Sequence, residues 1–125
     1  MSMSVEQFLS LSDAEQLQTI KDLNDIGQEE IIIDVLTGVG IDNLSVPLLG
    51  ELGRAYNNND KPEEAIKVFK TIDKEQRDAV WHYRCAYSHG SIASTNHEAY
   101  TSENMQQMLA LVDNGVRLAT KEGRN

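Results

Sequence analysis

Cys85, the three histidines and two of the arginines are the side chains of this chain best suited to chemistry. Cys85 and His89 stand one helical turn apart, so a helix would put both on one face, and His97 could join them as a third metal ligand. His82 and His89 are separated by two turns, roughly 10 Å, too far to share an ion. One Cys–His pair is a weak signal, and Cys85 falls at an apolar packing position, where a thiol stays protonated and inert. Ser88 and Ser91 lie near His89 without the turn that would build an oxyanion hole. Glu29, Glu30, Glu63 and Glu64 open helices, where carboxylates suit the dipole. The stretch GVGI (Gly38–Ile41) lacks the third glycine and the lysine of a nucleotide-binding loop. The expectation is therefore no catalysis, no metal and no cofactor.

The composition narrows the partners. In 125 residues, 20 acidic side chains oppose 11 basic ones, for a formal charge of −9. Such a chain repels phosphate backbones and anionic lipid, so neither nucleic acid nor a membrane surface is expected as a partner. A single cysteine allows no internal disulfide and no thiolate zinc cluster. The opening MSMSVEQFLSLSDAEQ has no basic segment and no sustained apolar run, unlike a signal peptide. The most apolar run, IIIDVLTGVGI, is too short to span a bilayer and carries Asp34. These features predict one soluble domain over residues 1–125 in a reducing, cytoplasmic location.

Helix signals recur along the chain. Ser4 with Gln7, and Ser12 with Glu15, fit capping boxes, and Gly27 is a natural left-handed stop. Leu17, Ile20 and Leu23 recur at helical spacing. The β-branched run from Ile31 fits a helix from about Glu29 to Thr37 or a buried strand; helix is preferred, because nothing else reads as a pairing strand. Ser45 and Pro47 open a segment running to about Asn58. Asp60 is expected to cap the next, which buries Ala65, Ile66, Phe69 and Ile72. Another helix carries Trp81 and Cys85 from near Asp78 to about Gly90, with Trp81 pinning it onto Phe69 and Ile72. The last spans Glu103 to about Lys121, with Met105, Met108, Leu109, Val112, Val116 and Ala119 as its packing stripe. Between these two, 91–102 is polar and reads as a long loop or as an extension of its neighbours.

One stretch carries a motif. Leu49-x2-Leu52-Gly53-x2-Tyr56, followed by Ala65-x3-Phe69, matches the tetratricopeptide (TPR) helix-turn-helix pattern, with Leu49 where tryptophan is commonest. Gly53 and Ala65 are small enough to let two helices approach, and Leu52, Tyr56 and Phe69 fill the space around them. A degenerate copy follows about 33 residues on, with Cys85, Ala86 and His89 in place of Leu52, Gly53 and Tyr56. Met108, Val112 and Gly115 then stand for Ala65, Phe69 and Ile72. The segments ELGRAYNNNDKPEEAI and WHYRCAYSHG resemble the core of small bacterial TPR-like proteins of uncharacterised function. The resemblance implies an all-α, right-handed solenoid of about three antiparallel helix pairs. These would cover 1–44 (degenerate), 45–77 (the best match) and 78–122 (degenerate, with the long internal loop 91–102).

A solenoid presents a concave face lined by the first helix of each pair. On that face the spacing places Arg54, Asn57 and Asn58, and from the next pair Tyr83, Arg84 and Tyr87. Asparagine amides could hold an extended peptide backbone, and the arginines could fork onto a carboxylate. Alternatively, Asn57–Asn59 simply turn the chain between helices, and the arginines pair with glutamates such as Glu51 or Glu63. The last helix carries a second apolar side, Met108, Leu111, Gly115 and Leu118, with no capping helix after Lys121, so these four are a candidate homodimer face. The expected function is a non-enzymatic module that binds another protein or a peptide. A structural homo-oligomer subunit is the alternative, as is an acidic immunity or regulatory protein masking a basic partner.

Overall fold

Small polar residues and glycine set the helix boundaries. The structure, a computed structural model, describes residues 2–95 and 102–122. Ser4 Oγ accepts from the Gln7 amide at 3.0 Å, and the Gln7 side chain accepts from the Ser4 amide at 2.9 Å, opening α1 (Val5–Leu9). Ser12 and Glu15 form the same box before α2 (Asp13–Asp25). Gly27, at φ 76°, ends α2 in the left-handed region. The β-branched run is helical, forming α3 (Glu29–Val39), because Ile32, Val35 and Leu36 are buried at helical spacing. Ser45 Oγ accepts from the Leu48 amide at 3.4 Å and starts α4 (Val46–Asn58). Then come α5 (Pro62–Phe69), α6 (Ala79–Thr95) and α7 (Ser102–Glu122), with short 3-10 turns at Ile41–Asn43 and Lys74–Gln76. There is no strand among the described residues, and the fold is all-α. None of the described helices is long and apolar enough to cross a membrane.

One local expectation is corrected. At the corner after α4 the left-handed residue is Asp60, with φ 57°, while Asn59 keeps φ −101°. The Lys61 amide donates back to the Tyr56 carbonyl at 2.9 Å, closing the motif that ends a helix. Asp60 therefore stops α4 and does not cap α5, whose N-cap position is Lys61 without a side-chain bond. Within 91–102, the reading as an extension of the neighbouring helices holds at both ends. α6 continues to Thr95, with Ala93 buried as an apolar anchor, and Ser102 already belongs to α7. Residues 96–101, including His97, lie outside the described residues.

Packing is close between α4 and α5. A Cβ at Gly53 would enter the Phe69 ring, with Cδ1 only 2.8 Å away, so the ring lies directly on the α4 backbone. Phe69 in turn meets Trp81 edge-on at 6.5 Å between centroids, and the Trp81 indole N–H donates to the Phe69 carbonyl at 2.9 Å. The Arg77 guanidinium stacks 4.5 Å from the indole centroid. Trp81 thus pins α6 onto α5, as its position suggested. Long-range bonds show that α2, α4 and α6 run the same way: Asn24 and Asp25 reach Glu51 and Arg54, while Asn57 and Glu51 reach Ser88 and Arg84. α5 and α7 each turn back against the helix before them.

The two faces of α7 depart from the expectation, although Met108 and Ala119 of the expected packing stripe are half-buried and the Met105 side chain lies outside the described residues. Gly115 is buried against α6, where an added Cβ would lie 3.2 Å from His82 Cβ. Leu111 packs on the core, and Met108 and Leu118 are half-buried. The proposed packing residues Leu109, Val112 and Val116 are exposed instead. Only the glycine side lets the two backbones approach closely, and that decides which face turns inward. The candidate oligomer set Met108, Leu111, Gly115 and Leu118 is therefore directed into the chain.

Alanine is the better helix former by about 1 kcal/mol, so Gly53→Ala would stabilise an isolated helix. Here the rigid, fully buried Phe69 ring cannot yield, and a net loss of about 1–3 kcal/mol is expected from urea unfolding. A variant as stable as the parent would show that the α4–α5 contact is looser than described.

Candidate functional site

Seven side chains line one open groove of about 360 Å³: Arg54, Asn57 and Asn58 from α4, with Val80, Tyr83, Arg84 and Tyr87 from α6. All six residues expected at the site are thus brought together. They divide by exposure. Tyr83 is 70% exposed and Tyr87 52%, and Asn58 also faces solvent. Asn57 and the two arginines are drawn inward.

The draw on the arginines comes from Glu51, whose side chain is only 5% exposed. Its Oε2 accepts from Arg84 Nη2 at 3.0 Å, and its Oε1 from Arg54 Nη1 at 3.3 Å. Asn24 Nδ2 donates to both Oε1 and the backbone carbonyl of Glu51, each at 3.1 Å. Arg54 Nη2 also donates to Asp25 Oδ1 at 3.1 Å. Gly50 leaves room for this arrangement, since a Cβ there would sit 3.2 Å from Arg84 Nη1. The oxygen Oδ1 of the buried Asn24 finds no hydrogen-bond partner among the protein atoms, at a cost of about 1–3 kcal/mol.

Asn57 forms a second tie. Its amide nitrogen donates to the Arg84 carbonyl at 3.0 Å, and its oxygen accepts from Ser88 Oγ at 2.7 Å. It joins α4 to α6 from within and is not a free groove-facing amide. The expectation that the arginines fork onto a partner's carboxylate changes as well. They are paired with Glu51, the nearby glutamate named as the alternative, and the pairing is partly buried, not a solvated surface contact.

Glu51 as the hub, with Asn24 and Asp25, was missed as part of the site. The signal was present in the spacing. Glu51 lies one turn after Leu48 and one turn before Ala55, so it sits on the apolar face of α4. Asn24 holds the corresponding place one turn after Ile20 in α2. A charged residue on such a face needs a partner of opposite charge from a neighbouring helix.

The groups that could titrate or react sit beside the groove. Cys85 is buried, and burial pushes its thiol up from 9.0 to about 11, partly offset by Lys70 and Arg77. Burial, aided by the Lys70 charge, pushes His89 below the usual histidine range. Burial and the Glu64 charge raise the Tyr56 hydroxyl. No three His, Cys, Asp or Glu side chains gather as a cation site among the described residues. Comparison with known proteins adds no relative: no family model, no curated protein and no solved structure matches the chain.

The Cys85 shift has a pH consequence. A thiol whose folded pKa is raised contributes stability that is intact below its unfolded value of 9.0 and lost as pH rises to about 11. Urea midpoints for the parent chain and Cys85→Ala should converge across that window. Parallel curves would mean that the thiol ionises as easily folded as unfolded.

Proposed function

We propose that the chain is a TPR-like helical solenoid and a non-enzymatic protein-interaction module, holding an extended peptide or a partner's tail in the groove between α4 and α6. Three features support the solenoid reading. The first helices of the successive pairs, α2, α4 and α6, run parallel. The Glu51–Arg84 tie between α4 and α6 spans 33 residues, close to the repeat period of about 34. Ile72 shares its surroundings with Val46 and Gly50, and Gly115 contacts Ala79 and Tyr83, the residues one period on.

The observation that carries the binding reading is the single groove containing every expected residue, with its aromatic side chains turned outward. Tyr83 and Tyr87 offer ring faces, and Asn58 offers an amide that can both donate to and accept from a peptide backbone. The side chains of Arg54 and Arg84, about a third and a fifth exposed, add N–H donors to the wall. Their charges are balanced by Glu51 and Asp25. Recognition would therefore rest on backbone bonding and aromatic contact, with weak salt dependence. The lone buried thiol suits a reducing, cytoplasmic setting.

A library of displayed random peptides, selected on the immobilised chain, tests this reading. Selected peptides should bind at least about tenfold more weakly to the Asn58→Ala, Tyr87→Ala double variant. Both residues are exposed, so the helical circular-dichroism spectrum should not change. Arg84 and Asn57 are unsuitable probes, because their loss would loosen the helices themselves. Failure to enrich any peptide, or equal binding by the double variant, would reject the groove as a binding site.

A further inference from the structure

The contact that seats α6 on the preceding helix pair has an unfilled equivalent one repeat later. Where α6 meets α4 and α5, Trp81 packs edge-on against Phe69, and Val46, Pro47, Gly50 and Ile72 line an adjoining open cleft of about 300 Å³ with Val80 and Arg84. Ala79, Val80, Tyr83, Val112 and Gly115 stand at the corresponding positions of α6 and α7, where they line a strongly apolar trough of about 310 Å³ with Val116 and Ala119. No helix among the described residues occupies this second seat.

Apolar exposure is concentrated there. Among the described residues, the large apolar side chains more than a third exposed are Leu9, Ile26 and six on the α6–α7 hairpin: Val80, Tyr83, Tyr87, Leu109, Val112 and Val116. Their spacing is informative. Val80, Tyr83 and Tyr87 recur at intervals of three and four residues along α6, and Leu109, Val112, Val116 and Ala119 continue the same alternation along α7. That is the seam a helix offers to another helix, and two such seams side by side are half of a four-helix bundle. The ends of α6 and α7 at Thr95 and Ser102 lie at the opposite end of the hairpin from Val116, because Gly90 meets Met108 and Gly115 meets Ala79 and Tyr83.

We propose that a second copy of this chain covers the face, pairing α7 with α7 in antiparallel fashion about a two-fold axis. Charge selects this occupant. Two chains of formal charge −9 repel wherever acidic surfaces meet, so self-association needs a face where charges are few and balanced. On α7 the outer flank of the seam carries Asp113 and Arg117, 2.8 Å apart and both exposed. Their midpoint falls within one residue of the midpoint between Val112 and Val116. A two-fold axis there brings Asp113 of each copy beside Arg117 of the other, with Val112 opposite Val116. The interface is closed and isologous, so assembly stops at two copies.

The inference is independent of peptide binding in the groove, although Tyr83 borders both surfaces. Sedimentation equilibrium of the full chain at high micromolar concentration should give twice the 14.0 kDa of one copy. Val112→Glu with Val116→Glu should give one copy with an unchanged helical spectrum, since both side chains are exposed in the single chain. Asp113→Arg and Arg117→Asp should each associate weakly alone and form a mixed dimer when combined. A parent chain of single-copy mass, or an open-ended ladder of masses, would overturn the proposal. So would a dimer indifferent to the two glutamates, or charge-swapped chains that do not pair.

Discussion

A carboxylate withdrawn from water between three parallel helices governs this structure. Glu51 must find cations and donors within the protein, because a buried charge without them is costly. It draws one arginine from its own helix, one from α6 and an amide from α2. Apolar contacts such as Leu52 and Phe69 are non-directional and would tolerate small displacements of one helix along another. The Glu51 network would not: a slip of one residue turns a side chain by about 100° and separates donor from acceptor. Buried ion pairs add little net stability, and their best-attested use is to select one arrangement among several. Here the arrangement selected is the register of α2, α4 and α6, reinforced by Asn57 between the Arg84 carbonyl and Ser88.

The same network shapes the surface that faces outward. With Arg54 and Arg84 held against Glu51, that wall of the groove is fixed, and under the proposed function this would lower the ordering cost of binding. It also leaves the groove electrically quiet within an acidic protein, and the side chains most open to contact are Tyr83, Tyr87 and Asn58. Adjoining the groove, Val80, Tyr83, Val112 and Val116 leave an apolar trough beside Gly115.

Much of the helix pattern was legible because its signals are local. Ser4, Ser12 and Ser45 start helices with their own side chains, and Gly27 stops one with its own backbone. Gly53 and Phe69 were legible as a pair because a small residue and a ring at fixed offsets leave one way to nest. The faces of α7 were not legible. Its two apolar sides are alike in sequence, and only the approach of Gly115 to the α6 backbone separates them. The positions of the six groove residues followed from spacing, but their chemistry did not. Whether Arg84 points to solvent or folds inward depends on a carboxylate of another helix, 33 residues away, and a reading of single helices does not weigh that distance. Asp60 was assigned to the wrong helix end for a related reason: an aspartate can cap one helix or end another, and the Lys61–Tyr56 bond decides between them.

The central claim is that Glu51 and Arg84 are coupled across α4 and α6. A double-mutant cycle with Glu51→Ala and Arg84→Ala, read by urea unfolding, measures that coupling directly. The account predicts that Arg84→Ala destabilises the parent chain strongly and the Glu51→Ala chain far less, with an interaction energy of about 1–3 kcal/mol. Losses that simply add, to within about 0.5 kcal/mol, would show that the carboxylate does not hold the helices in register.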